Sequence, residues 1–118
     1  MKILIVDDEK NILKLYKTEF EEEGYTVVTA TSGTEALALF EKEPPDIVTL
    51  DIHMPDINGI EVLRRMKEKN REIPVVMLTA YDYKDEFGVW SSDAYVVKSY
   101  DPKELKAIVR RLLETRVQ

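Results

Sequence analysis

Four short apolar runs, each closed by a polar residue, constrain this chain most. Ile3-Leu4-Ile5-Val6 runs into Asp7-Asp8, Ile47-Val48-Thr49-Leu50 into Asp51, Val75-Val76-Met77-Leu78 into Thr79, and Tyr95-Val96-Val97 into Lys98. Runs of this length bounded by turn signals read as strands buried on both faces of a parallel sheet. Between them the apolar residues fall at helical spacing, as in Ile12, Leu13, Tyr16 and Phe20, or Leu105, Ile108, Val109 and Leu112. The β-branched run Thr26-Val27-Val28-Thr29 adds another strand. Strand and helix alternate five times, which predicts an α/β fold with helices on both sheet faces.

In order, the reading is a strand over residues 2–6 and a helix over 10–23, with Gly24 in the position of a C-cap. A strand over 25–30 follows. Ser32 and Glu35 form a capping box for a helix whose inner face carries Ala36, Leu37 and Phe40. Pro44-Pro45 stops that helix and the strand ending at Asp51 begins. Gly59 opens a helix facing inward through Ile60, Leu63 and Met66, and Pro74 starts the next strand. Residues 81–93 have weak periodicity and are expected to hold one or two helical turns at most, anchored by Phe87 and Trp90. A strand over 94–97 leads to a last helix with Asp101 as N-cap, Pro102 at N1 and Glu104 at N3.

Bulk properties narrow the function. A chain of 118 residues implies one domain, residues 1–118. Cysteine is absent and there is one histidine, so thiolate and multi-histidine metal sites are excluded. A net charge of -6 argues against a nucleic-acid footprint. No apolar run approaches membrane-spanning length, and the cytoplasm is the expected compartment.

In a parallel sheet the polar strand ends share one edge, so Asp7, Asp8, Asp51, Thr79 and Lys98 converge. Two carboxylates about 4 Å apart repel by roughly 4 kcal/mol at an effective dielectric of 20. Gathered carboxylates therefore need a cation or a raised pKa, and hard oxygen donors suit Mg²⁺. A lysine and a hydroxyl alongside suit phosphate. The set fits Asp51 as a carboxylate nucleophile attacking phosphorus, with Mg²⁺ and Lys98 balancing charge.

These motifs, together with Asp51-Ile52-His53-Met54-Pro55, Asn58-Gly59 and Thr79-Ala80-Tyr81, resemble the response-regulator receiver domain of two-component signalling over essentially the whole chain. The resemblance implies a flavodoxin-like (CheY-like) doubly wound five-stranded parallel sheet, order 2-1-3-4-5, with the fourth helix short or irregular. It implies Asp51 as phosphoacceptor, with Asp7, Asp8, Asp51 and the His53 backbone carbonyl as Mg²⁺ ligands (Mn²⁺ as a substitute). Thr79 and Lys98 would bind phosphoryl oxygens, and Thr79 with Tyr95 would form the switch. The implied partner is a sensor histidine kinase or phosphotransfer protein, with a further protein downstream. The implied state is a monomer or weak dimer. Catalysis is limited to the chain's own phosphorylation and dephosphorylation.

Two features depart from the family. Ser99 stands where a proline after a cis bond is usual, and Lys98–Ser99 is expected to be trans because a non-proline cis bond costs about 3 kcal/mol. The interval from Thr79 to Lys98 is about three residues shorter than usual, the deficit falling on 81–93, in the style of small stand-alone receivers. The chain is either such a receiver or a fragment of a longer regulator. Two other classes compete. A small-molecule phosphatase is opposed by His53, which stands where a second aspartate would serve as general acid. A receiver that no longer switches would act as a protein-interaction module.

Overall fold

The computed structural model describes residues 1–80 and 92–117. These form β1 (Lys2–Val6), α1 (Lys10–Glu22), β2 (Thr26–Ala30), α2 (Gly33–Lys42), β3 (Ile47–Asp51), α3 (Gly59–Lys69), β4 (Val75–Thr79), β5 (Ala94–Val97) and α4 (Lys103–Val117). The strands form one parallel sheet, order β2-β1-β3-β4-β5. Of the segment 81–93, expected to hold one or two helical turns, residues 81–91 with the anchors Phe87 and Trp90 lie outside the described residues.

Strand order and helix placement have one cause. The β1-α1-β2 unit steps outward from β1, whereas β2-α2-β3 steps back across it. Right-handed crossovers then put α1 and α2 on opposite faces. The reversal between β1 and β3 opens a crevice at the carboxyl edge of the sheet.

Alternation along each strand divides the core into two layers. Leu4, Val6, Val48, Leu50, Val75 and Met77 pack toward α2 and α3. Ile3, Ile5, Ile47, Val76, Leu78 and Val96 pack toward α1 and α4. Each fully buried aliphatic side chain contributes roughly 1.5–3 kcal/mol.

Helix ends follow local chemistry. Gly24 has φ 94°. Its N–H donates to the Glu21 carbonyl, and the Tyr25 N–H reaches back to Phe20. This is a Schellman ending sealed by the edge-to-face Phe20–Tyr25 ring pair at 5.5 Å. Ser32 Oγ accepts from the Glu35 N–H, but the Glu35 carboxylate returns to the Thr31 N–H rather than to that of Ser32. α4 starts at Lys103, one residue later than expected, because Pro102 supplies the first helical carbonyl, to Lys106. Asp101 Oδ1 still caps by accepting from the Lys103 N–H at 3.1 Å.

Three inner faces differ from expectation. In α2 Ala36 and Phe40 are buried, while Leu37 is half-buried. In α3 the buried residues are Gly59, Val62, Leu63 and Met66, while Ile60 is half-buried. In α4 Leu105, Val109 and Leu113 are buried, with Ile108 and Leu112 at the margin. The acidic end of α1 is answered by α4 through Lys106–Glu19 at 2.6 Å and Arg110–Glu23 at 3.2 Å.

Candidate functional site

The site is assembled where β1, β3 and β5 end. Asp7 continues the inward alternation of Ile3 and Ile5 and is fully buried. Its N–H donates to Ala30 at 3.0 Å, extending the ladder by one residue. Its Oδ1 accepts from the Glu9 N–H at 2.9 Å, which ties the carboxylate to the first turn of α1. Asp8 is exposed. Asp51 ends β3, buried, and its Oδ1 accepts a long 3.3 Å bond from the His53 N–H. The His53 side chain is exposed.

Lys98 joins these groups. Its backbone N–H donates to the Thr79 carbonyl at 2.6 Å, the last bond of the β4–β5 edge. Its Nζ lies 3.0 Å from Asp7 Oδ2, 3.3 Å from Asp51 Oδ2 and 3.4 Å from Glu9 Oε2. Burial raises the Asp7 carboxyl to about 6; the Glu9 N–H opposes that rise, and the Asp51 charge adds to it. Burial likewise raises Asp51, with Lys98 opposing. Burial works against the Lys98 charge, but hydrogen bonds and charges from Asp7 and Asp51 outweigh it and hold the ammonium firmly protonated.

The carboxylates of Asp7, Asp8 and Asp51 offer oxygens within 4.8 Å of one another. One ammonium cannot neutralise them. Asp7 Oδ2 is buried and, despite the Nζ contact, makes no hydrogen bond of acceptable angle among the described residues. An oxygen-only donor set with a buried, incompletely satisfied carboxylate fits a small hard cation such as Mg²⁺.

Thr79 and Tyr95 occupy the other parity. Thr79 is buried at the end of β4 and alternates with Val75 and Met77. It stands one register step beyond the Asp51–Leu78 pair. Tyr95 pairs with Met77 and packs half-buried against the α2/α3 layer. The two residues thus share a sheet face. Lys98–Ser99 is trans, since no cis peptide occurs among the described residues.

Sequence reasoning missed four contributors. Glu9 faces Lys98 and accepts from the Tyr100 hydroxyl at 2.6 Å. Tyr16 reaches Ser99 from α1. Gly59 lies so close to Asp51 that a Cβ would come 2.1 Å from the Asp51 carbonyl. Asp56 accepts from the Gly33 and Thr34 N–H groups, both at 2.9 Å, and from the Thr34 hydroxyl. Glu9, beside the acidic pair, and Gly59, in the Asn58-Gly59 motif, carried a local signal but not these contacts; Tyr16 and Asp56 carried none.

Asp56 therefore pins the loop after Asp51 to the positive end of α2. Those donors, the Thr34 hydroxyl first, hold its carboxyl well below the usual range. In an Asp56→Ala variant the amide protons of Gly33 and Thr34 should exchange faster than in the wild type, while those of β1 and β3 stay unchanged. Unchanged exchange at Gly33 and Thr34 would refute the pin.

Residues 3–110 match the family model for the response regulator receiver domain. The chain belongs to the response regulator receiver family. This receiver is 47% identical over 118 residues to the probable transcriptional regulator ycf27 of Guillardia theta, covering 95% of this chain and 45% of that protein. It is 39% identical to the alkaline phosphatase synthesis transcriptional regulatory protein PhoP of Bacillus subtilis, covering 95% of this chain and 48% of that one. The receiver thus spans about half the length of these curated relatives. Among solved structures, the response regulator TrrA of Thermotoga maritima in complex with Mg²⁺-BeF superposes with a TM-score of 0.90 at 46% identity, covering 94% of this chain and 97% of that one. TrrA has also been solved with the histidine kinase ThkA; there the TM-score is 0.89, with 95% and 97% covered. No helix among the described residues is long and apolar enough to cross a membrane.

Proposed function

We propose that this receiver is a phosphorylation switch. Asp51 accepts a phosphoryl group from the phosphohistidine of a sensor histidine kinase or phosphotransfer protein, with Mg²⁺ required. The interaction surface then changes for a downstream protein until slow self-hydrolysis resets it. The observation that carries this reading is the pair of buried carboxylates, Asp7 and Asp51, sharing the Lys98 ammonium beside exposed Asp8. Uncompensated buried charge is costly, and a fold that retains it has a use for the cation it attracts. TrrA supports the reading twice over, through its Mg²⁺-BeF complex and its complex with the kinase ThkA.

In this reading an Asp51 oxygen forms a bond to phosphorus as the phosphorus–nitrogen bond breaks, and the leaving imidazole takes up a proton. Asp7, Asp8, Asp51 and the His53 carbonyl hold Mg²⁺, with Mn²⁺ serving in its place. The bound metal supplies positive charge against phosphoryl oxygens. Lys98 neutralises a further oxygen and Thr79 donates its hydroxyl. Thr79 then draws Tyr95, its neighbour on the same sheet face, into the switch. The protein acts on its own Asp51 only, as a cytoplasmic signalling component.

The test is incubation with acetyl phosphate and Mg²⁺ followed by intact-mass measurement. One phosphoryl group should add to the wild type, and none to Asp51→Asn or after chelation of the metal. An unmodified wild type would sink the proposal, and an adduct persisting in Asp51→Asn would move the acceptor elsewhere.

A further inference from the structure

Lys98 sits where the chain leaves the sheet. After its N–H bonds to Thr79, β4 and β5 offer no further ladder, and Ser99 and Tyr100 are exposed. A long side chain rooted in such a loop carries large conformational entropy. Yet its Nζ is held among Asp7, Asp51 and Glu9, with the side chain only 12% exposed. Something must fix the backbone from the side away from β4.

The Tyr16 hydroxyl does this. Tyr16 comes from α1, and its residue is 2% exposed. Its hydroxyl donates to the Ser99 carbonyl at 2.7 Å and stands 3.5 Å from the Ser99 N–H, which donates to it. One buried hydroxyl thus serves both backbone polar groups of the residue after Lys98. Burial pushes the Tyr16 hydroxyl pKa up, so it keeps its proton and remains a donor. Thr79 on one side and Tyr16 on the other bracket the Lys98 backbone across a trans Lys98–Ser99 peptide.

A second tie runs the opposite way. The Tyr100 hydroxyl donates to Glu9 Oε1 at 2.6 Å, and Glu9 Oε2 faces Lys98 Nζ at 3.4 Å. The two residues that follow Lys98 are therefore both strapped, Ser99 to α1 through Tyr16 and Tyr100 to Glu9 at the start of α1. Ser99 Oγ accepts from the Asp101 N–H at 3.0 Å, which turns the chain toward α4.

We propose that Tyr16 is a positioning residue for Lys98, acting through the backbone of Ser99. The assignment rests on the role given to Lys98 above. Its physical content is preorganisation: an ammonium already aimed at the Asp51 edge needs no reorganisation when charge develops there.

Tyr16→Phe keeps the buried ring and removes only the hydroxyl. With acetyl phosphate and saturating Mg²⁺, phosphorylation of Tyr16→Phe should slow about tenfold, as expected for a displacement well under 1 Å. In a Lys98→Ala background the same substitution should change the rate by less than about twofold, because the group it positions is gone. A general loosening of the fold would slow both backgrounds alike. Independently of any phosphodonor, the Lys98 Cε and Nζ resonances of lysine-labelled protein should stand apart from those of exposed lysines in the wild type. They should move toward them in Tyr16→Phe. An unmoved Lys98 signal, or equal slowing in both backgrounds, overturns the assignment. A wild type that takes no phosphoryl group but whose Lys98 signal moves in Tyr16→Phe would overturn the acceptor role of Asp51 and leave the positioning intact.

Discussion

Replacing Asp7 with asparagine should stabilise the metal-free protein by about 2–3 kcal/mol at pH 7. Asp7 is fully buried and its carboxyl is raised to about 6 from an ordinary 3.8, mainly by burial. A carboxyl raised in the folded state binds protons there more tightly than in the unfolded chain. Its contribution to stability is therefore greatest below about pH 4 and is lost as pH rises toward 6. Above that the ionised group is a constant burden, and asparagine removes it. Asp51, also raised by burial, adds a slope of the same sign. Half-exposed Glu61, lowered to about 2 chiefly by its hydrogen bond from Arg64, contributes the opposite way, its stabilisation being lost at acid pH. The difference between wild-type and Asp7→Asn unfolding curves across pH 4–7 cancels the remote Glu61 term and leaves that of Asp7 together with its coupling to Asp51. That difference should widen with pH in favour of asparagine when the metal is chelated, and should shrink on adding Mg²⁺, which rewards the wild-type ligand set. A variant less stable than wild type at pH 7 without metal would show that the Lys98 pairing outweighs the burial cost.

Gly59→Ala should cost more than about 3 kcal/mol, beyond the range of an ordinary substitution. The added methyl would lie 2.1 Å from the Asp51 carbonyl oxygen and 2.8 Å from the Ile52 Cα, both backbone atoms that cannot turn aside. The Gly59 N–H bonds to the Ile52 carbonyl at 2.7 Å, and Asn58 caps α3 by accepting from the Ile60 N–H at 2.7 Å. The start of α3 is thus pressed against the end of β3. Relief requires moving one of them, and moving β3 moves Asp51. Chemical denaturation should show the stability loss, and any fraction that stays folded should bind Mg²⁺ more weakly. Near-native stability would mean that α3 can pivot without disturbing the acidic edge.

The acidic edge was legible because each member closes an apolar run, and parallel strands bring their ends together. Asp7, Asp51 and Lys98 follow Ile5, Thr49 and Val96 at a spacing of two, so alternation alone assigns them to the α1/α4 face. Thr79 follows Met77 to the other. Helix faces were less legible. A helical stripe admits spacings of three and of four, so Ile60, three before Leu63, and Leu112, three after Val109, qualify as well as Val62, four before Met66, and Leu113, four after Val109, and only the packed partner chooses between them.

The sequence by itself determined the order of strands and helices, the sheet face each polar strand end occupies, and hence the meeting of Asp7, Asp51 and Lys98. These follow from the two-residue and 3.6-residue periods, which are local properties of the chain. Only the tertiary structure decided what holds those groups in place. Tyr16 grips Ser99 across 83 residues, Asp56 grips Gly33 across 23, and Gly59 is excluded from carrying any side chain by the backbone of Asp51. Such contacts leave no trace in periodicity. A hydrogen bond between remote segments depends on how the layers are stacked, and that is set by the whole core at once.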